Sequence, residues 1–193
     1  QTCALPIYGT APTISVSTAA NIGVFSADSS YVYIGSYNSI PLVFLANNTE
    51  AGRFDASGNL GVGVTSPTQK LDVAGKVKTT GGILPRVYST TTQASPWAWN
   101  SNSYDQLCIT ALANSLTINA DAGTPTNGQK VMFRIKDDGT ARTLSFTQVG
   151  SKSFRAVGFT LPNTTVAGKI MYIGCIYNAA ESYWDVVAIS LQG

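Results

Sequence analysis

The sequence predicts an all-β protein, with an extended, prism- or shaft-like N-terminal part, a C-terminal antiparallel β-sandwich, and assembly as a trimer. Three observations carry this reading. Only 11% of the 193 residues are charged, and Gly, Ser, Thr and Asn fill the difference, which leaves few of the residues that sustain helices. Long stretches alternate apolar and polar side chains with a period of two, the repeat of an extended chain. No stretch carries the apolar pattern of an amphipathic helix.

The elements follow in order. "QTCALPI", Gln1 to Ile7, has neither a Met nor a charged leader region, so it is not a signal peptide. It looks like the translation of a sequencing-adaptor oligonucleotide read into an assembled metagenomic gene, the alternative being an internal boundary. Residues 1–7 are therefore set aside, and the chain is expected to be the C-terminal part of something longer. Residues 8–50 hold short β runs, "YVYIG" and "PLVFLA", between Ser, Asn and Gly turns, and read as a β-rich shaft segment.

Residues 51–85 form a second segment. In "AGRFDASGNLGVGVTSPTQKLDVAGKVK" every second residue from Phe54 through Ala56, Gly58, Leu60, Val62 and Val64 lies on one face. After "TSPT" the register shifts, and Leu71, Val73, Gly75 and Val77 continue the apolar stripe. One such strand cannot bury its face alone, and no flanking strand of matching pattern stands out. Its glycines permit close backbone approach, so packing against copies of itself around a symmetry axis is the economical solution. Leu60, Val62, Val64, Leu71, Val73 and Val77 would then form the trimer core. The competing reading is an ordinary hairpin within one monomeric domain. "TTGGILP", Thr79 to Pro85, has the composition of a linker.

Residues 86–193 read as the tip domain. "QLCITAL" and "SLTINA" are strand candidates, and "KVMFRIK" alternates Val131, Phe133 and Ile135 with Lys130, Met132, Arg134 and Lys136, the mark of a half-buried strand. "DDGT" predicts a hairpin turn into "ARTLSFTQV". "KIMYIGCIYN", the turn "AAES" and "YWDVVAISL" read as a final hairpin, apolar on both faces and so central in the sandwich. Trp184 reads as core.

Several functions are disfavoured by composition. The net charge is +2 and the basic residues are scattered, unlike the clustered stripe of a nucleic-acid interface. No segment reaches the roughly 20 apolar residues of a membrane span. The chain has no His, which removes Ser-His-Asp triads and His-ligated metals as usually built. "GNLGVG" lacks the G-x-G-x-x-G spacing of a dinucleotide loop. The acids are spread thinly, and the one adjacent pair, Asp137 and Asp138, reads as turn capping rather than a Ca²⁺ site. No catalytic residue, metal or cofactor is expected. Cys108 and Cys175 sit in apolar runs and read as buried, unpaired thiols.

"SPWAWNSNSYD", Ser95 to Asp105, places Trp97 and Trp99 on the same side of an extended chain, with Tyr104 close behind. Aromatic faces among small polar residues suit a sugar, so these three are the candidate glycan contacts. The alternative is that the indoles anchor the loop onto the sandwich.

The stretch "NSIPLVFLANNTEAGRFDASGNLGVGVTSPTQKLDVAGKV" resembles a motif of bacteriophage tail fibres and tailspikes, where a "PLVF…NNTERMRI" run leads into "GNVGIGT-SP-KLdV-G". Asn59, Gly61, Gly63, Ser66, Pro67, Lys70, Leu71, Val73 and Gly75 stand in that pattern. Val64 takes the usual Thr position, and Arg53-Phe54 that of Arg-Ile. The later half, "GTPTNGQKVMFRIKDDGTARTLSF…FRAVGFTLPNTTVAGKIMYIGCIYNAAESYWDVVA", is similar to a domain found at the distal end of phage fibres. Together they cover most of residues 38 to 189. The resemblance implies a homotrimer on the virion, extracellular when acting, whose distal domain meets a glycan or protein of the host surface. In many members the motif precedes a self-cleaving chaperone domain with Ser-Lys chemistry, whereas the residues after Val77 here read as the β domain. The expected function is thus a non-enzymatic distal adhesin. The alternatives are a purely structural fibre segment or trimer-locking cap, and a fragment of a polysaccharide depolymerase.

Overall fold

The computed structural model describes residues 13–17, 22–27, 29–36 and 39–193; the opening heptad and Cys3 lie outside them. Among the described residues there are fifteen strands and no helix, as the low charge and the two-residue periodicity require. The chain separates into two compact units, Gln1–Gly81 and Gly82–Gly193, the division falling inside the Thr79–Pro85 stretch.

The first unit holds two sheets. Strands β1 (Thr13–Ser17), β2 (Ile22–Ala27) and β3 (Val32–Ser36) pair as an antiparallel meander. Strands β4 (Leu42–Ala46), β5 (Thr49–Phe54), β6 (Leu60–Val62) and β7 (Leu71–Val73) form a second sheet in that order. A division at residues 50/51 would cut β5, which pairs with β4 through a two-residue turn at Asn47 and Asn48, both with positive φ. Asparagine is among the few residues that take this conformation at little cost.

The continuous stripe expected from Phe54 to Val64 is broken. Asp55 folds the chain back: its Oδ1 accepts from the backbone N–H of Ser57 and of Asn59, each at 2.8 Å, and Gly58 takes φ 71°. Leu60 therefore lies beside Phe54 rather than farther along the same strand. A β5–β6 hairpin forms here within the chain, and β4 is the neighbouring strand that sequence reading did not find. The glycine expectation changes with it. A Cβ on Gly61 would stand 2.3 Å from the Val64 carbonyl oxygen, so its close neighbour lies in its own chain, while Gly58 and Gly75 have open space around them.

What survives is a single apolar face. The register puts Leu42, Phe44, Phe54, Leu60, Val62, Leu71 and Val73 on the same side of the β4–β7 sheet. Val64 and Val77 fall beyond the strands and do not belong to that stripe. Phe44 and Phe54 meet edge to face at 6.4 Å. Even so, Phe44, Phe54, Val62 and Leu71 are exposed, Leu71 by 57%.

The second unit contains the whole buried hydrophobic core of the described residues, from Trp97 to Val186. Its strands are β8 (Val87–Thr90), β9 (Gln106–Leu112), β10 (Leu116–Ile118), β11 (Lys130–Asp137), β12 (Leu144–Phe146), β13 (Ser153–Ala156), β14 (Ile170–Asn178) and β15 (Tyr183–Leu191). Six of them form a sheet of order β13-β15-β14-β11-β9-β8, and β10 pairs with β12. Leu116, Ile118, Leu144 and Phe146 of the small pair join Leu107, Ile109, Phe133, Ile135, Ile173 and Trp184 of the large sheet in one core cluster. The β14–β15 hairpin forms as expected, inside the sheet rather than at its edge.

The antiparallel expectation holds only for the β11–β14 and β14–β15 pairs of this unit. The pairs β8–β9, β9–β11, β13–β15 and β10–β12 are parallel. Parallel neighbours need crossovers of a dozen or more residues, and the segments 91–105 and 113–129 supply them over the core face. The "DDGT" hairpin also fails, because β11 is flanked by β14 and β9, and the strand after the turn pairs with β10.

Asp137 and Asp138 cap that turn, through Gly139 N–H to Asp137 Oδ1 and Thr140 N–H to Asp138 Oδ1. Asp137 is itself buried and also accepts from Thr165 Oγ1 at 2.6 Å and from Gly168 N–H at 2.7 Å. Burial pushes its carboxyl up, but the bonds from Thr165, Gly168 and Gly139 outweigh this and hold it below the usual carboxylate range, with Asp138 opposing them. A carboxyl lowered in the folded state stabilises above its unfolded pKa, and that contribution is lost as pH falls through the folded value. Asp137→Ala should therefore lower stability at neutral pH by about 1–3 kcal/mol, the cost of unpaired buried donors. The difference from the parent should shrink below pH 4 in denaturant titrations. A loss that is the same at pH 3 and pH 7 would count against the ionised carboxylate as its source.

Candidate functional site

The stretch Ser95 to Asp105 is an inner layer of the core rather than an exposed loop. Trp97 bridges to Ile118 of β10, its N–H donating to Thr117 O at 2.7 Å. Trp99 donates Nε1–H to Asn119 O at 2.8 Å, and its carbonyl accepts from Ala122 N–H. The two indoles are 4% and 2% exposed. Trp99 packs against Phe133, Phe154 and Trp184 with ring centroids 5.1, 5.8 and 5.5 Å away, and Trp97 meets Phe133 edge to face at 5.8 Å. Tyr104 is partly buried and rests on Tyr88 at 5.2 Å.

The expectation that Trp97 and Trp99 offer faces to a sugar is thus corrected, while Tyr104 keeps part of its surface open. Their shared side points inward, and their aromatic partners lie so far along the chain that no local pattern shows them. Below them, the buried Asp121 ties the segment down. It accepts from Ser101 N–H and Gly123 N–H on Oδ1, and from Ser101 Oγ and the Trp184 indole on Oδ2. These bonds are internal, as a buried polar group requires.

The two buried cysteines also behave structurally. Cys108 and Cys175 are free and buried, and burial pushes the Cys175 thiol far up. Burial shields both thiols from reagent, so both should label slowly with a maleimide in the folded protein and fully in denaturant. Rapid labelling of both without denaturant would contradict the burial. Among the described residues no three His, Cys, Asp or Glu side chains come together.

A second candidate surface is the outer face of the six-stranded sheet. Alternation along β11 sends Val131, Phe133 and Ile135 into the core, and so turns Lys130, Met132, Arg134 and Lys136 outward. Across that face Met132 sits between Gln106 of β9 and Gly174 of β14, and Lys130 lies beside Ile176. Val187 is the extra residue of a bulge opposite the Gly174–Cys175 step. Because Gly174 contributes no side chain, an open depression of about 500 Å³ forms there, walled by Met132, Ile176, Val187 and Pro85 and rimmed by Gln106, Lys130 and Asp105. The Arg86 guanidinium grips Asp105 through both carboxylate oxygens, at 2.6 and 3.0 Å, and holds it below the usual carboxylate range. Sequence reading picked out the alternation of "KVMFRIK" but gave its outer residues no role.

No family model matches the chain, and no curated protein matches it.

Proposed function

We propose that this chain is a bacteriophage tail-fibre-like adhesin: a homotrimer whose N-terminal unit brings three chains into register and whose C-terminal unit presents a non-enzymatic binding surface to a host bacterium. The observation that carries the reading is the uncovered face of the β4–β7 sheet, where Phe44, Phe54, Val62 and Leu71 stand in water in the single chain. Apolar area contributes roughly 25 cal/mol per Å² when removed from water, and an isolated four-stranded sheet gains this only by association. The fibre-like motif of residues 38–77 supports the same reading and covers this very sheet.

A labelled full-length chain applied to a panel of bacterial strains and to a glycan array tests the adhesive part. Binding to a subset of strains or glycans is the expected result. The burial of both indoles favours a second reading, a structural segment or trimer-locking cap, since it removes the aromatic contacts first expected of the tip. Intact trimer with no binding to any strain or glycan would select that reading. Release of reducing ends from a bound polysaccharide would select a depolymerase.

A further inference from the structure

We propose that the outer face of the six-stranded sheet binds an acidic polysaccharide along the row Lys130, Arg134 and Lys136, with one sugar seated over Gly174; this rests on the adhesin reading and names its partner.

The row is cationic without compensation. Lys130, Arg134 and Lys136 make no ion pair among the described residues, and Arg134 reaches only the Tyr172 hydroxyl, at 3.4 Å. Neither neighbouring strand puts a carboxylate opposite them. β14 supplies Ile176, Gly174, Tyr172 and Ile170, and β9 supplies Gln106 and Cys108. The acids that do share this face are already taken, Asp105 by Arg86, and Asp185 and Glu181 by Arg155. An anion laid along the row would meet cations that no carboxylate of the described residues neutralises.

Spacing selects the form of that anion. Alternate residues of a strand lie about 6.8 Å apart, so the row spans about 20 Å from Lys130 to Lys136. A small ion meets one of these cations, whereas an extended chain bearing repeated carboxylates or phosphates meets all three. The depression beside Lys130 selects its chemistry. Met132, Ile176 and Val187 offer an apolar floor to a sugar ring, with Gln106 and Lys130 at the rim for hydroxyls, the usual division of labour in a small-ligand site. Single-stranded nucleic acid would seek several aromatic platforms for its bases, whereas no aromatic residue lines the depression and Tyr172 alone stands opposite the row.

The full-length chain is titrated with polygalacturonate, with neutral dextran and with single-stranded DNA, at 20 and 200 mM salt. Polygalacturonate should bind, weakening at least tenfold over that salt range as released counterions dictate, and dextran should not bind. The K130Q/K136Q variant should weaken binding roughly tenfold with an unchanged melt, as two charge contacts at exposed and half-buried positions are worth. Gly174→Leu should block the depression and also keep the fold, because a Cβ there meets only the Ala188 Cβ, at 3.7 Å. No binding of polygalacturonate at 20 mM salt, equal binding of dextran, tighter binding of DNA, or indifference to both variants overturns the proposal. So does a changed sedimenting mass in K130Q/K136Q, which would assign the row to a subunit interface. If strains or neutral glycans bind while polygalacturonate does not, this proposal falls and the adhesin reading stands.

Discussion

Replacing Trp99 by Ala should destabilise the C-terminal unit by about 3–5 kcal/mol, the range for truncating a buried aromatic side chain. For a unit of this size that lowers the melting temperature by on the order of 10 °C or more. Four contributions are lost together. The indole fills the space between Phe133, Phe154 and Trp184. Its Nε1–H satisfies the Asn119 carbonyl. Edge-to-face and stacked pairs contribute beyond the buried area. The cavity left behind cannot close, because the walls belong to three different strands and the crossover itself. Trp97→Ala should cost less, since Trp97 lies toward the partly buried Tyr88 at the edge of the cluster. Differential scanning calorimetry of the full chain checks both. A Trp99→Ala protein that melts within 2 °C of the parent would return the indole to the surface and reopen its role as a ligand contact.

The Trp pair also shows what the sequence could and could not disclose. Strand candidates were legible wherever alternation was local: "QLCITAL", "KVMFRIK" and the β14–β15 hairpin appear where the pattern places them. Pairing partners were not legible. The parallel neighbours of β9 arrive through crossovers, and nothing in a two-residue period distinguishes a strand that turns into its neighbour from one that leaves the sheet. The inward face of Trp97 and Trp99 was visible as a shared side, but which side faces the core depends on Phe133, Phe154 and Trp184, 34 to 87 residues away by the numbering. In residues 51–64 the failure was different. The "DASGN" turn was present in the sequence, with an Asp to cap and a Gly for positive φ, yet the apolar alternation ran through it undisturbed and hid the reversal.

The second large effect concerns the exposed face of the first unit. Val62→Asp and Leu71→Asp should leave the isolated chain almost as stable as before, because both side chains already stand in water in the single chain and exposed substitutions usually change stability by less than about 0.5 kcal/mol. If that face is buried between copies, the same Asp must be desolvated without a partner, which is severely unfavourable. In a symmetric assembly the penalty is repeated in every subunit. Loss of assembly without loss of secondary structure is the expected pattern, read by gel filtration beside circular dichroism. Val77→Asp serves as the control, since Val77 lies beyond the strands and off the apolar face; it should assemble like the parent.

Sedimentation equilibrium of the intact chain tests the central claim most directly. Three chains of 20.3 kDa each should sediment as one species of about 61 kDa at micromolar concentration. A single compact species at the mass of one chain, stable across that concentration range, would contradict it.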